Sequence, residues 1–206
     1  AQQLGMTFVY NRAPWKRCFD ALKRGEVHGV VGVSFKPERT RYGVFPGGIP
    51  AEASKRLNLD RYILIRTKGS QLNWDGKNIS GLNGMIGTQL GYSVADLLSC
   101  QGVRVDEGAP GATELLRKLL AGHVAAVAML EGEAKALLAT PPFDKKSLEI
   151  LPVPLTEKPY YLQLSHHVHA SRPELAKSLW DAIEHVRESR EYQQLESRLS
   201  QVLTSK

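Results

Sequence analysis

The sequence predicts an α/β chain built as two lobes, with two crossings between them. Three observations carry this. Stretches of strand period alternate with stretches of helical period along the whole chain. One strand-helix-strand phrase occurs twice, and its two copies superpose without a gap. Two extended apolar runs, one after each phrase, are placed to carry the chain from one lobe to the other and back.

The bulk properties agree. The chain has 206 residues, 42% hydrophobic and 23% charged, which is ordinary for a globular protein and enough for a real core. No apolar run reaches membrane-spanning length. Ala1-Gln2-Gln3-Leu4-Gly5 shows neither the basic start nor the apolar stretch of a signal peptide. The net charge is +6 and the pI about 9.3. The charges are scattered, with only short groups at 36–41 and at Lys145-Lys146. No basic helix with interleaved aromatics stands out. A nucleic-acid partner is therefore not expected, and the balance favours anionic ligands or surfaces. Cys18 and Cys100 are too few and too far apart for a disulfide framework, and read as packed thiols.

In chain order, Thr7-Phe8-Val9-Tyr10 is a strand candidate. Residues 15–24 are helical, with Phe19 and Leu22 on the apolar side and Gly25 as the stop. A Val-rich strand covers 30–35. The phrase returns as a strand at Val103-Arg104-Val105, a helix over 112–121 carrying Leu115, Leu116, Leu119 and Leu120, a stop at Gly122 and a strand over 124–129. Leu22, Gly25 and Val27 correspond to Leu119, Gly122 and Val124. Each phrase is a crossover that sets two strands parallel in one sheet, so two separate sheets are expected. Between the phrases, 94–99 reads as a helix. The connectors are Arg61 to Arg66 and 148–155; Pro152 and Pro154 suit an edge or a connector. A strand over 160–165 comes next. Ser171-Arg172-Pro173-Glu174 then reads as a capping box with proline in the first turn. Leu175, Leu179, Trp180, Ile183 and Val186 recur at helical spacing, and Tyr192, Leu195, Leu199 and Val202 form the face of a last helix. Lobe one then comprises 1–66 plus 152–206, and lobe two 67–151. The cleft between such lobes is where ligands usually bind.

Pro14-Trp15-Lys16-Arg17, Leu22-x-x-Gly25-Glu26-Val27 and Gly32-Val33-Ser34-Phe35-Lys36-Pro37-Glu38-Arg39 resemble family 3 of the bacterial extracellular solute-binding proteins, the polar-amino-acid receptors of ABC importers. Trp74-Asp75-Gly76, Gly81-Leu82-x-Gly84 and Ile86-Gly87-Thr88-Gln89-Leu90-Gly91-Tyr92-Ser93 extend the resemblance over nearly the whole chain. It implies the two-lobed, type II periplasmic-binding fold, a periplasmic location, a small-molecule ligand and an ABC permease as partner. Members usually open with a strand, a loop over the ligand and a helix. Ala1 to Gly5 reads as the tail of that helix, so the first strand and most of the first helix of lobe one are expected to be absent. A sheet edge exposed in that way invites a strand-completing partner chain or a swapped dimer.

The resemblance also implies site residues. Arg39 matches the arginine that clamps a ligand carboxylate, and its planar fork suits two-point recognition. Ser34 matches a position beside the ligand, and Trp15 could wall the cleft with an aromatic face. Tyr92 and Ser93 precede a helix whose N–H groups would attract an anion; Ser93 reads equally as its N-cap. The acid that holds the ammonium group in amino-acid receptors falls on Leu130. A carboxylate or another anion lacking the amine is therefore the expected ligand, unless a bulge turns Glu131 into the cleft.

His166-His167-x-His169 would place two imidazoles on one face if the strand continued, but a solvated strand end is the expectation and no metal is implied. No catalytic motif or cofactor signature is present, so an enzyme is not expected. Glu131 and Glu133 could do acid–base work, as in dehydratase relatives of the fold. A ligand-sensing domain of a signalling system is the alternative to a transport receptor.

Overall fold

The computed structural model describes residues 4–143 and 147–204. Residues 1–3, Lys145, Lys146 and the side chains of Leu199 and Val202 lie outside the described part. The chain forms two compact units, one of Ala1–Leu59 with Lys158–Ser205 and one of Asp60–Glu157. Among the described residues no helix is long and apolar enough to cross a membrane.

Unit one starts with helix α1, Trp15–Lys23, which buries Phe19 and Leu22. Gly25, at φ 72°, ends it in the left-handed region that a side chain resists. Strand β1, Gly29–Ser34, pairs antiparallel with β9, Thr156–Leu164, from Gly29↔Leu164 to Ser34↔Tyr160. Phe19, Leu22, Val30, Val33, Phe45 and Tyr161 form one core cluster. A second cluster sets Leu164 and Val168 against Ala176, Leu179 and Trp180. These belong to α5, His166–Ser171, and α6, Pro173–Glu188; α7, Arg190–Thr204, comes last.

Unit two is built on β2, Asn58–Thr67, which begins at the border of unit one. It pairs antiparallel with β7, Ala126–Leu130, from Tyr62↔Leu130 to Arg66↔Ala126, and with β8, Leu148–Ile150. Strand β5, Ile86–Gln89, runs parallel to both β7 and β6, Val105–Ala109. A short hairpin, β3 Asn73–Trp74 and β4 Ile79–Ser80, lies off this sheet. Helices α2, Val94–Cys100, α3, Ala112–Leu120, and α4, Glu131–Leu138, complete the unit. Its core gathers Ile63, Ile65, Leu115, Leu116, Leu119, Val127 and Met129.

Several expectations need correction. Thr7–Tyr10 is not a strand: the segment has no ladder partner among the described residues, and Val9 and Tyr10 are 84% and 73% exposed. Extended residues become a strand only where a neighbour supplies hydrogen bonds. The first phrase is thus a helix and one strand, not a parallel crossover. The two expected sheets are one hydrogen-bonded path, β1-β9-β2-β7-β5-β6, because β9 and β2 pair with each other. Leu57 N–H donates to Tyr160 O at 2.7 Å, and Leu155 N–H to Tyr62 O at 2.7 Å. The strand expected at Val103-Arg104-Val105 begins only at Val105. The three histidines lie at the head of α5, not on a strand end. The capping box does not form: the Ser171 hydroxyl closes α5 by donating to the His167 carbonyl at 2.8 Å, and α6 starts after Arg172 without a side-chain cap. Ser165 caps α5 instead, its Oγ accepting from Val168 N–H at 3.2 Å. Proline at the first turn of α6 suffices as a start signal because its missing N–H is not needed there.

Candidate functional site

Unit one brings three of the expected residues together. Pro37 opens a 3-10 turn, Pro37–Arg41, directly after β1. Gly43 lets that turn close on β9: a Cβ there would stand 2.3 Å from the Leu164 carbonyl oxygen and 2.9 Å from Leu22 Cδ2. Gln163, fully buried, braces it from below. Its Nε2 donates to the carbonyls of Arg39 at 2.7 Å and Gly43 at 2.9 Å.

Arg39 itself is only 6% exposed. Its Nη1 donates to the Ser34 carbonyl at 2.9 Å and to Ser34 Oγ at 2.7 Å. Its guanidinium carbon stands 5.1 Å from the centre of the Phe19 ring, a cation–π contact. Trp15 meets the same ring edge-on at 5.0 Å. Arg39 and Ser34 are in direct contact, and Trp15 joins them through Phe19. A buried guanidinium held by a hydroxyl and a carbonyl is a fixed positive charge whose rotamer is set in advance.

Unit two holds the other expected residues. Gly91, Tyr92 and Ser93 form the turn from β5 into α2, with Tyr92 N–H donating to Gln89 O at 3.2 Å. Ser93 is buried at the N-cap position, but its side chain does not cap α2. The Gly91 N–H is taken by Glu107 Oε2 at 3.4 Å. Glu131 is the first residue of α4 and pairs with Lys135 Nζ at 2.9 Å, one turn on. The register of β7 against β2 runs evenly to Leu130, so no bulge re-aims Glu131.

The same end of the sheet carries a group of polar residues that the sequence reading used only in part. Asp60, on β2, accepts from the N–H of Arg61 at 2.7 Å and from the N–H of Gly132. Burial pushes its carboxyl up, against the pull of the Arg61 N–H, and the charge of Glu131 adds to the rise. Burial also raises the Glu133 carboxyl, partly offset by a hydrogen bond from the Gln89 side chain, with the charge of Asp60 raising it further. Gln89 and Thr88 end the buried strand β5, at 3% and 0% exposure. Glu133 was visible in the sequence as an acid near Glu131. Asp60 and Gln89 were missed; the one signal was a pair of polar residues, Thr88-Gln89, closing an otherwise buried strand.

No protein-family model and no curated protein matches the chain. Solved structures do. An ancestral arginine-binding protein bound to glutamine aligns at 20% identity over 96% of this chain and 81% of its own, with a TM-score of 0.74. The substrate-binding protein of an amino acid ABC transporter aligns at 18% identity over 96% and 81%, with a TM-score of 0.74. The GluR0 ligand-binding core from Nostoc punctiforme in complex with L-glutamate aligns at 18% identity over 96% and 84%, with a TM-score of 0.70. The chain has the fold of these solute-binding proteins, the two-lobed type II periplasmic-binding fold, and it covers about four-fifths of their length.

Proposed function

We propose that this chain is the periplasmic receptor of an ABC-type importer and binds a small polar solute through a carboxylate or another anionic group. The observation that carries the reading is Arg39, buried and held by Ser34 and Phe19 directly after the first strand of unit one. A two-oxygen anionic group fits the planar fork of a guanidinium. The fold supports the class of activity: solved structures sharing it include proteins described as bound to glutamine, glutamate and arginine. Trp15 offers an aromatic wall beside Phe19. Tyr92 and Ser93, in unit two, are kept as candidate ligand contacts on the strength of the motif that contains them. Strand β1 ends the sheet path, and a strand-completing partner or swapped dimer at that edge belongs to the same reading.

Isothermal titration against a panel of amino acids and matched carboxylic acids tests it. Arg39→Ala should weaken binding of the accepted solute by about 2–5 kcal/mol, the cost of truncating one partner of a buried charge pair. Binding that survives Arg39→Ala unchanged would return Arg39 to a purely structural role.

A further inference from the structure

The amino ends of β5 and β6 lie side by side in unit two. There Ile86 pairs with Val105, and Ile86 N–H donates to the Arg104 carbonyl at 3.0 Å. Residues 77–79 and 82–84, from the β3–β4 hairpin and the turn into β5, face residues 101–104, the turn between α2 and β6, across a groove of about 490 Å³. Gly91, Tyr92 and Ser93 follow the other end of β5. The four residues of that strand set its two ends about 10 Å apart.

Both walls are firmly built. Asp75 Oδ1 accepts from the N–H groups of Lys77 and Asn78, each at 2.7 Å, which fixes the hairpin turn. Trp74, 4% exposed, anchors the hairpin by donating from Nε1 to the Pro154 carbonyl at 3.2 Å. Gly81, at φ 64°, passes so close to Gln71 that a Cβ would stand 2.1 Å from its carbonyl oxygen. On the other wall, the N–H groups of Gln101 and Val103 donate to the Leu98 carbonyl, and that of Gly102 to the Ser99 carbonyl. These bonds tie off the end of α2, which would otherwise set a negative pole beside the groove.

The lining carries charge of one sign. Lys77 comes from one wall and Arg104 from the other, with the side-chain amides of Asn78, Asn83 and Gln101 and no carboxylate. Asp75 is engaged in its own turn, and Asp106, two residues beyond Arg104, is held by Lys118 at 2.6 Å. Arg61, Arg66, Arg117 and Lys135 are likewise each paired with a glutamate. Lys68, Lys77 and Arg104 make no such pair among the described residues of unit two, and two of these three stand in one groove.

We infer that this groove is a second binding site, for the phosphate monoester of a small hydroxylated molecule. Such an ester carries close to two negative charges at neutral pH, which the two cations match. The planar fork of Arg104 suits two phosphate oxygens, and Lys77 suits a third as a point charge. A water takes about 30 Å³ of liquid, so the groove has room for much more than a phosphate. The amides that share the lining both donate and accept, as hydroxyl groups require. The site is independent of Arg39, which belongs to unit one.

The test titrates the full chain with glucose 6-phosphate, glucose, inorganic phosphate and sodium chloride at equal ionic strength, following the Arg104 Nε–H and Lys77 Cε signals by NMR. Glucose 6-phosphate should shift both saturably. Inorganic phosphate should bind about tenfold more weakly, lacking the hydroxyl contacts, and glucose and chloride should not bind. Both cations are exposed, so their substitution should leave the fold intact. Arg104→Gln should weaken glucose 6-phosphate by about tenfold and Lys77→Gln by about fivefold, as expected for charge-assisted contacts open to solvent. Arg39→Ala should leave the Arg104 response in place, which separates this site from the anionic solute proposed above. An equal response to chloride, a response unchanged in both groove variants, or one lost with Arg39→Ala overturns the site. Inorganic phosphate binding as tightly as glucose 6-phosphate overturns the hydroxylated ligand. Sedimentation with phosphatidic acid vesicles tests a lipid source of the same group: vesicle binding that disappears in Arg104→Gln, with no response to glucose 6-phosphate, would overturn the small-molecule ligand.

Discussion

In unit one the chain leaves α1 through Gly25, and in unit two it leaves α3 through Gly122. The two turns are near copies. Their φ angles are 72° and 73°. Gly25 N–H donates to Leu22 O at 3.1 Å and Gly122 N–H to Leu119 O at 3.0 Å; Glu26 N–H reaches Ala21 O at 3.0 Å and His123 N–H reaches Lys118 O at 2.9 Å. The strands beyond the turns differ. β7 lies between β2 and β5 and is buried along most of its length, whereas β1 ends the sheet path with Val31 51% exposed. The same local phrase makes the same turn in both units. The number of ladder neighbours then decides how deeply the next strand is packed.

The acids of the two units differ in the same way. In unit one, Lys55 bonds Asp181 Oδ1 and Glu184 Oε2, each at 2.5 Å; the Asp181 carboxyl is held low first by Lys177 and then by Lys55, and the Glu184 carboxyl chiefly by Lys55. Lys177, at 2.6 Å, acts with it on Asp181. In unit two, Asp60 and Glu133 are crowded and raised. One arrangement adds stability, and the other holds it back, because burial disfavours the charged form of both carboxyls.

The largest test of this contrast is a pair of core truncations. Leu22 and Leu119 occupy equivalent places and are 0% and 1% exposed. Leu119→Ala, on α3 inside the core of unit two, should cost about 4 kcal/mol. Leu22→Ala, beside an edge strand that can settle inward, should cost about 2–3 kcal/mol, since the penalty depends on how far the cavity collapses. Urea unfolding of both variants measures this, and equal losses would break the comparison.

Next in size is the pair of turns. A Cβ at Gly25 or at Gly122 would meet no atom within 4 Å, so only the backbone conformation resists a side chain. Gly25→Ala and Gly122→Ala should each cost about 1–2 kcal/mol, and nearly the same amount as one another. A large inequality in their melting temperatures would mean the turns are not equivalent.

The smallest effects are those of the acids, and they carry opposite signs. Asp60 and Glu133 have raised folded-state carboxyls, so the folded chain holds more protons and stability falls as pH rises through their titration. Glu133→Gln should therefore melt higher than the parent at neutral pH, with the gain closing as pH drops below the ordinary glutamate range. Asp181 and Glu184 are lowered, so their contribution is present above the ordinary carboxylate range and is lost as pH falls through their folded values. Lys55→Met should melt lower at neutral pH and match the parent in strong acid. Melting curves across pH that show one sign for both variants would refute the contrast.

The sequence alone marked α1, α2, α3, α6 and α7, the glycine stops at Gly25 and Gly122, and the short segment that carries both Ser34 and Arg39, but neither α4 nor α5. Helix hydrogen bonds close within a few residues, so the chain carries their rule locally. Gly25 and Gly122 mark their turns in the sequence because a left-handed stop is a property of one residue. Tertiary structure decided the rest. Thr7–Tyr10 has strand period but no ladder partner among the described residues, and β9 and β2 join the sheet because residues about a hundred positions apart meet. Asp60, Gln89 and Glu133 lie 29 and 44 residues apart along the chain and come together only where β2, β5 and β7 align their ends. A strand's hydrogen bonds and a carboxyl's hydration both depend on what a distant segment brings, and period and composition do not record that.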